Sequence, residues 1–281
     1  VIAIALAFTA SIGWGFSDFL GGLRARRVPL AAVVGFTLVG GTLAAVVAAV
    51  VAAGPFPGYG PLWPVVFSGV GSLVAFTALF KALSIGPMSI VSPISATYPI
   101  VPVVVGLVQG ERPSPLQGAG MALAVAGVLL AVSSGAGLSG RRQRITMDGL
   151  GFALLAALAS GVMLTGLDIA AEADPYWALL GARCVALALL LVTLPVLRPD
   201  HSARRTDAAA LIGIGVLDTA ATGLFAVAST FGYLSIVAVI ASLFPVMTVI
   251  LARMVLGERI ARHQEVGIAG ALAGVALIAA G

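Results

Sequence analysis

Apolar residues run in long unbroken blocks along this chain, and polar residues gather in short joints between them. Ala44–Ala53 and Val185–Val192 contain no polar side chain at all. A helix needs about 20 apolar residues to cross a bilayer. Ten blocks of that kind can be drawn, over 2–22, 29–53, 62–83, 87–109, 115–133, 149–170, 175–196, 208–230, 235–256 and 264–280. A membrane β-barrel would alternate polarity in segments of about 10 residues, and these blocks do not alternate. The pattern predicts an all-α membrane protein with ten transmembrane helices. Glycine, proline or charge marks the joints, as in Gly54-Pro55-Phe56-Pro57-Gly58, Gly86-Pro87 and Gly110-Glu111-Arg112-Pro113. The longest polar joint, near the middle, divides the chain into 1–133, a linker over 134–148, and 149–281.

Composition agrees. Of 281 residues 60% are hydrophobic and 9% charged, with a mean hydropathy of +1.13. A soluble domain carries about 25% charged residues, so this chain could not cover a water-facing surface. There is no asparagine, hence no glycosylation sequon. The single cysteine, Cys184, falls in an apolar run and is expected to be a packed thiol. His201 and His263 fall in joints without metal-ligand spacing. The chain begins at Val1, which reads as a trimmed start. The first apolar run has no basic leader, so no cleavable signal peptide is expected.

Charge sorts by side. Joints 1–2, 3–4, 5–6, 7–8 and 9–10 carry Arg24, Arg26, Arg27, Lys81, Arg141, Arg142, Arg144, Arg198, Arg204, Arg205, Arg259 and Arg262, counting adjoining helix ends. The opposite joints carry only Arg112. Basic residues favour the cytoplasmic face, so a multi-pass inner-membrane protein with both termini on the non-cytoplasmic side is expected. The spread of the net charge of +4 over several loops points to membrane orientation and away from nucleic acid.

The halves repeat. A shift of 146 residues carries Pro29 to Pro175, Gly35 to Gly181, Gly69 to Gly215, Ser89-Ile90-Val91 to Ser235-Ile236-Val237 and Pro99 to Pro245. After a one-residue slip, Gly110-Glu111-Arg112 falls on Gly257-Glu258-Arg259, Gly120 on Gly267 and Gly127 on Gly274. Five spans per copy force opposite orientations, which makes an inverted repeat of the kind common in secondary transporters.

These motifs resemble the EamA family of the drug/metabolite transporter superfamily. The resemblance rests on Tyr98-Pro99 with the first Gly-Glu-Arg turn, Phe244-Pro245 with the second, the Gly-rich fifth helix of each half, Ala82-Leu83 and Gly13-Trp14-Gly15. It covers essentially the whole chain. It implies transport of amino acids, other metabolites, nucleotide sugars or drugs, most often as export. It also implies a central cavity lined by spans 1, 3, 4, 6, 8 and 9, with spans 5 and 10 peripheral.

Ionisable residues within spans are costly and mark function or pairing. Asp218 lies about ten residues into its span, near the midplane at roughly 1.5 Å per residue. It could bind a cationic group, carry a coupling proton, or serve a structural ion pair. Asp18 and Asp168 lie toward opposite mouths, where they could gate or simply sit at wet helix ends. Arg183 needs an acid, which Asp168 or Asp218 could supply. Lys81 is the only lysine and could contact substrate, gate, or anchor the cytoplasmic end. Arg253, near the cytoplasmic boundary, is expected to snorkel.

A second group could line the cavity: Trp14, Ser17, Ser72, Ser92, Ser95, Tyr98, Thr222 and Ser242, with Thr77, Thr165 and Ser229 beside them. Trp14, Tyr98 and Phe244 could form an aromatic wall for a ring or a quaternary amine. The competing reading is helix–helix hydrogen bonding by Ser and Thr and interfacial anchoring by aromatics. Trp63 and Trp177 read as interfacial belt residues. Pro93-Ile94-Ser95 is the expected kink. Gly106/Gly110 and Gly270/Gly274 have the spacing of close helix contacts, which leaves a homodimer possible. The Gly-Glu-Arg turns are expected to brace neighbouring helices.

The expected function is therefore a secondary transporter, probable exporter in direction, that moves a small metabolite, amino acid or drug-like compound by alternating access. Expected partners are that small molecule and the lipid bilayer, with no cofactor, metal or nucleic acid. No Walker A pattern points to a nucleotide-driven pump. A polytopic membrane enzyme is the alternative, but the acids are scattered and no histidine falls in a span. A non-transporting sensor or scaffold would leave the paired halves without a purpose.

Overall fold

The computed structural model describes residues 1–86, 91, 94–132, 146–197, 205–256 and 262–281. Ser92, Pro93, the second Gly-Glu-Arg turn, His201, most of the 134–148 linker and several basic-side arginines lie outside them, as does the side chain of Arg253.

All regular structure among the described residues is helical. In chain order the helices are α1 (Ile2–Ala25), α2 (Leu30–Ala52), α3 (Tyr59–Leu62), α4 (Val65–Ile85), α5 (Ile100–Val108), α6 (Pro115–Val132), α7 (Met147–Ala171), α8 (Pro175–Leu197), α9 (Arg205–Ser229), α10 (Leu234–Ala241), α11 (Phe244–Leu256) and α12 (Arg262–Ala280). The six segments α1, α2, α3 with α4, α7, α8 and α9 are long and apolar enough to cross a membrane, and three shorter apolar stretches cover Pro115–Leu130, Leu234–Thr248 and Glu265–Ala280. Helices are the outcome because lipid offers no partner to a backbone N–H or C=O, and a helix satisfies both internally. Large apolar side chains point outward, with Val50 at 81% and Val108 at 82% exposure. That surface suits lipid and would aggregate in water. The chain is a multi-pass helical membrane protein.

Side-chain caps close some helix ends. The Thr146 hydroxyl accepts from the Gly149 N–H at 3.1 Å at the start of α7. At the start of α8, Asp174 accepts from the N–H groups of Tyr176 and Trp177, each at 2.9 Å. Its other oxygen accepts from the Gly54 N–H at 3.0 Å and ties the α2 exit to this corner.

Inside the bundle, α2 and α1 pack on α9, α4 packs on α7 and α8, and α6 pairs with α12. Small residues permit the close crossings. A Cβ added at Gly215 would meet the Thr37 carbonyl, and one at Gly40 the Ile212 carbonyl, both inside 3.0 Å. Gly69 meets Val185 and the Ala182 carbonyl in the same way at the α4–α8 crossing. Gly127 and Gly274 do so between α6 and α12. Gly106 faces the Glu111 carboxyl. Gly69, Gly127, Gly215 and Gly274 thus serve close crossings within the chain.

Two helical paths are interrupted at depth. Before α5 the chain makes a turn over 96–99, with i to i−3 bonds such as Tyr98 N–H to Ser95 O at 3.3 Å. Between α10 and α11 the turn is at Ser242-Leu243, with Leu243 N–H to Ile240 O at 3.2 Å. Matched prolines, Pro99 and Pro245, sit at these breaks and donate no backbone bond. The expected kink at Pro93 lies outside the described residues. Residues 234–241 are all buried, so α10 lies wholly inside the bundle.

Cys184 departs from expectation: it is exposed rather than packed. Its neighbour Arg183 takes the inward face of α8, and successive residues lie about 100° apart around a helix, which turns the thiol outward.

The α2–α9 crossing generates a test. Gly215→Ala drives a methyl into backbone and should lower the thermal midpoint in detergent, at a cost of about 1–3 kcal/mol. Gly213→Ala, two residues away with nothing within 4 Å of an added Cβ, should leave the midpoint unchanged or slightly raised.

Candidate functional site

A cavity of about 540 Å³, counting its open side, lies where α1, α4, the turn before α5, α7, α9 and α11 meet. Its lining includes Trp14 and Asp18 from α1, Phe76 from α4, Ser95 and Tyr98 from the turn, Ser160 and Met163 from α7, Asp218 from α9 and Phe244 from α11. Trp14 and Asp18 are four apart and share a helix face.

A buried ion pair braces one side. Arg183 Nη2 donates to Asp218 Oδ2 at 2.6 Å, with side chains 3% and 8% exposed. The same nitrogen donates to Thr222 Oγ1 at 3.1 Å, and Nη1 donates to Ser72 Oγ at 3.3 Å. The guanidinium carbon stands 5.5 Å from the Phe76 ring centroid. Thr222 donates to the Asp218 carbonyl at 2.8 Å and accepts from Trp14 Nε1 at 3.2 Å. The network thus joins α1, α4, α8 and α9. Arg183 offered two acids to choose between, and the structure pairs it with Asp218.

Aromatic rings form a layer beside the pair. Trp14 meets Tyr98 edge to face at 6.5 Å and Phe225 at 5.8 Å, and Tyr98 stacks on Phe244 at 6.3 Å. The Tyr98 hydroxyl donates to the Ala238 carbonyl of α10 at 3.2 Å.

Two polar groups on the lining remain uncommitted. Ser95 is 5% exposed, and its hydroxyl has no hydrogen-bond partner among the described residues. Asp18 has no cation paired with it among the described residues. Asp18 lines the central cavity.

A second cavity, about 430 Å³, is lined by Gln109, Glu111, Asp168, Glu172, Ser229, Thr230, Gly232, Tyr233 and Leu234. Asp168 lies here, eight residues along α7 from Ser160, or roughly 12 Å of helix. Glu111 is the bracing member of the first Gly-Glu-Arg turn. Its carboxylate accepts from the N–H groups of Leu234 at 2.5 Å and Ser235 at 3.1 Å. It thus caps α10, where negative charge is favoured by the helix dipole. Gly110 makes the turn possible with φ of 97°.

The remaining candidates sit away from both cavities. Ser17 is buried off the lining. Ser242 donates to the Val239 carbonyl at 2.7 Å, and Thr77 to the Leu73 carbonyl at 2.7 Å. Lys81 is half-buried and lines neither cavity. Trp63 and Trp177 lie near the starts of α4 and α8, with Trp177 Nε1 donating to the Gly54 carbonyl at 2.9 Å. Phe76, Ser160 and Met163 line the cavity without having stood out in the sequence. Only their i, i+3 or i, i+4 register with other lining residues could have pointed to them.

The ion pair makes its own prediction. Arg183→Met strands the Asp218 carboxylate and should cost about 3–5 kcal/mol. Arg183→Met with Asp218→Leu removes both charges and should cost clearly less than the two single changes combined. Unfolding midpoints of the three variants in detergent check this.

Comparison with known proteins now bears on the chain. No curated protein matches it. A solved structure described as "Crystal structure of protein" aligns with it at a TM-score of 0.76 and 19% identity, over 99% of this chain and 98% of that one. At that identity the likeness shows the fold alone. The model of the EamA-like transporter family matches twice, over residues 1–133 and 147–280. The chain belongs to the EamA-like transporter family.

Proposed function

We propose that this protein is a secondary transporter that carries a small organic solute through the central cavity by alternating access. Ten membrane spans form two inverted five-helix repeats in this reading. Span 3 comprises α3 with α4, span 4 the stretch ending in α5, and span 9 comprises α10 with α11. The observation that carries it is the cavity itself, walled about equally by the two halves. Trp14, Asp18, Phe76, Ser95 and Tyr98 come from the first, and Ser160, Met163, Asp218 and Phe244 from the second.

Helix pairing supports the repeat. Exchange of the halves turns the α4–α7 contact into α9–α1, and the α2–α9 contact into α8–α4, while α6–α12 maps onto itself. All of these pairs are in contact. The repeat-mates Gly69 and Gly215 occupy corresponding crossings. The lining comes from spans 1, 3, 4, 6, 8 and 9, while spans 5 and 10 pair with each other at the edge.

The central cavity and the Asp168 cavity are read here as the two halves of one pathway, with the Trp14–Tyr98–Phe244 layer as the closure between them. In the proposed orientation the central cavity reaches toward the cytoplasm and the Asp168 cavity faces out. Rocking of the halves would part the layer and expose the same site to the other side. Export is the proposed direction, with the termini outside.

The test is saturable counterflow in proteoliposomes. Amino acids, amines and aromatic cations are first screened for thermal stabilisation of the purified protein, and each hit is assayed for flux. At least one hit should show saturable counterflow, and Ser160→Trp, which fills the cavity, should abolish it while the protein stays folded. Stabilising ligands with no flux above protein-free liposomes would contradict the proposal.

A further inference from the structure

We infer that the central cavity accepts an organic monocation, a protonated amine or quaternary ammonium on an aromatic or aliphatic body, with Asp18 as its counter-ion. This rests on the reading of the cavity as a solute site.

Charge bookkeeping leads there. Two carboxylates line the cavity. Asp218 is neutralised by Arg183 at 2.6 Å, and that guanidinium is 3% exposed, satisfied by Ser72 and Thr222, and behind the lining. Asp18 has no such partner. The lining therefore carries one carboxyl group with no cation beside it among the described residues, and a cationic solute would favour its carboxylate form. Among the described residues no Lys, Arg or His lines the cavity.

Each solute class meets a different cost. An anion would face Asp18 without a cation. A zwitterion could place its ammonium at Asp18, but its carboxylate would then be buried unpaired, since Arg183 is already committed. Burying an unpaired charge is expensive in low dielectric. A monocation pairs with Asp18 and leaves no net charge.

The walls fit the same ligand. Trp14 lies one helical turn from Asp18, and Tyr98 and Phe244 continue the ring surface. Ring faces attract a desolvated cation. Ser95, buried with an unpartnered hydroxyl, can accept from an ammonium N–H or meet a polar substituent. The Arg183 guanidinium already takes the Phe76 ring, so the wall left for a ligand is the one around Trp14.

The full chain can report on its own cavity. Trp63 and Trp177 lie far from the lining, so Trp63→Phe with Trp177→Phe leaves Trp14 as the only tryptophan. Its fluorescence is titrated with four probes that share a phenyl-alkyl body: trimethyl(phenethyl)ammonium, phenylalanine, 3-phenylpropanoate and 2-phenylethanol. The ammonium should bind saturably and at least tenfold more tightly than the other three. Asp18→Asn should weaken it at least tenfold with no change for 2-phenylethanol, and Asp18→Glu should retain most of the affinity. Size-exclusion profile and thermal midpoint verify that the variants are folded. The idea is overturned if the ammonium fails to bind, if phenylalanine or the alcohol binds as well, or if Asp18→Asn keeps the affinity. Counterflow of the ammonium separates this from the transport reading. Binding without flux contradicts transport and leaves the cation site standing. Flux of phenylalanine without ammonium binding does the reverse.

Discussion

A guanidinium that cannot shed its charge sits inside the helix bundle, and much of the arrangement around it answers that fact. A single charge at the bilayer centre costs about 2.5–3.5 kcal/mol on an insertion scale, and more on an isolated helix. Asp218 removes that cost, and Ser72 and Thr222 take further donors. Thr222 passes the connection to Trp14, so the same network that neutralises α8 also fixes the ring that begins the cavity wall. The pair therefore does two things: it locks four helices together, and it withdraws one carboxylate from the cavity's charge. What the cavity offers a solute is then set by Asp18, Ser95 and the rings.

Lipid sets the rest. Association of helices gains nothing from hydrophobicity when both solvents are apolar, so contact depends on backbone approach. Gly40 against Gly215's helix, Gly69 against α8 and Gly127 against α12 provide it. Large side chains go outward to lipid, and the interior is rich in Ala, Gly and Ser. The helical paths break into turns beside Pro99 and Pro245. Glu111 caps the start of α10 from the other half of the chain.

The membrane class, the family and the position of most spans could be read from block hydrophobicity and the doubled Gly-Glu-Arg turn. Trp14, Ser95, Tyr98 and Asp218, which line the cavity, stood out in the sequence because intramembrane polarity and aromatic-proline motifs are rare and costly. Phe76, Ser160 and Met163 were not found, since helices apolar on every face carry no periodic signal that separates cavity from lipid. Asp18 stood out as an intramembrane acid, but its distance along the helix says nothing of how far the cavity reaches. Glu111's role was only partly legible: its partners are backbone N–H groups more than a hundred residues away, with no side-chain signature. Cys184 illustrates the same limit, one residue from a buried arginine yet facing out. Ser92 lies outside the described residues.

The most direct measurement of the central claim is the sidedness of a thiol in the cavity. Cys184→Ala with Ser95→Cys places the only cysteine on the lining. It is treated with a membrane-impermeant thiol reagent in spheroplasts and, separately, in inside-out vesicles. A site that alternates between faces should react from both sides at different rates, with trimethyl(phenethyl)ammonium slowing each. Reaction from one face alone, under every condition, would contradict the account.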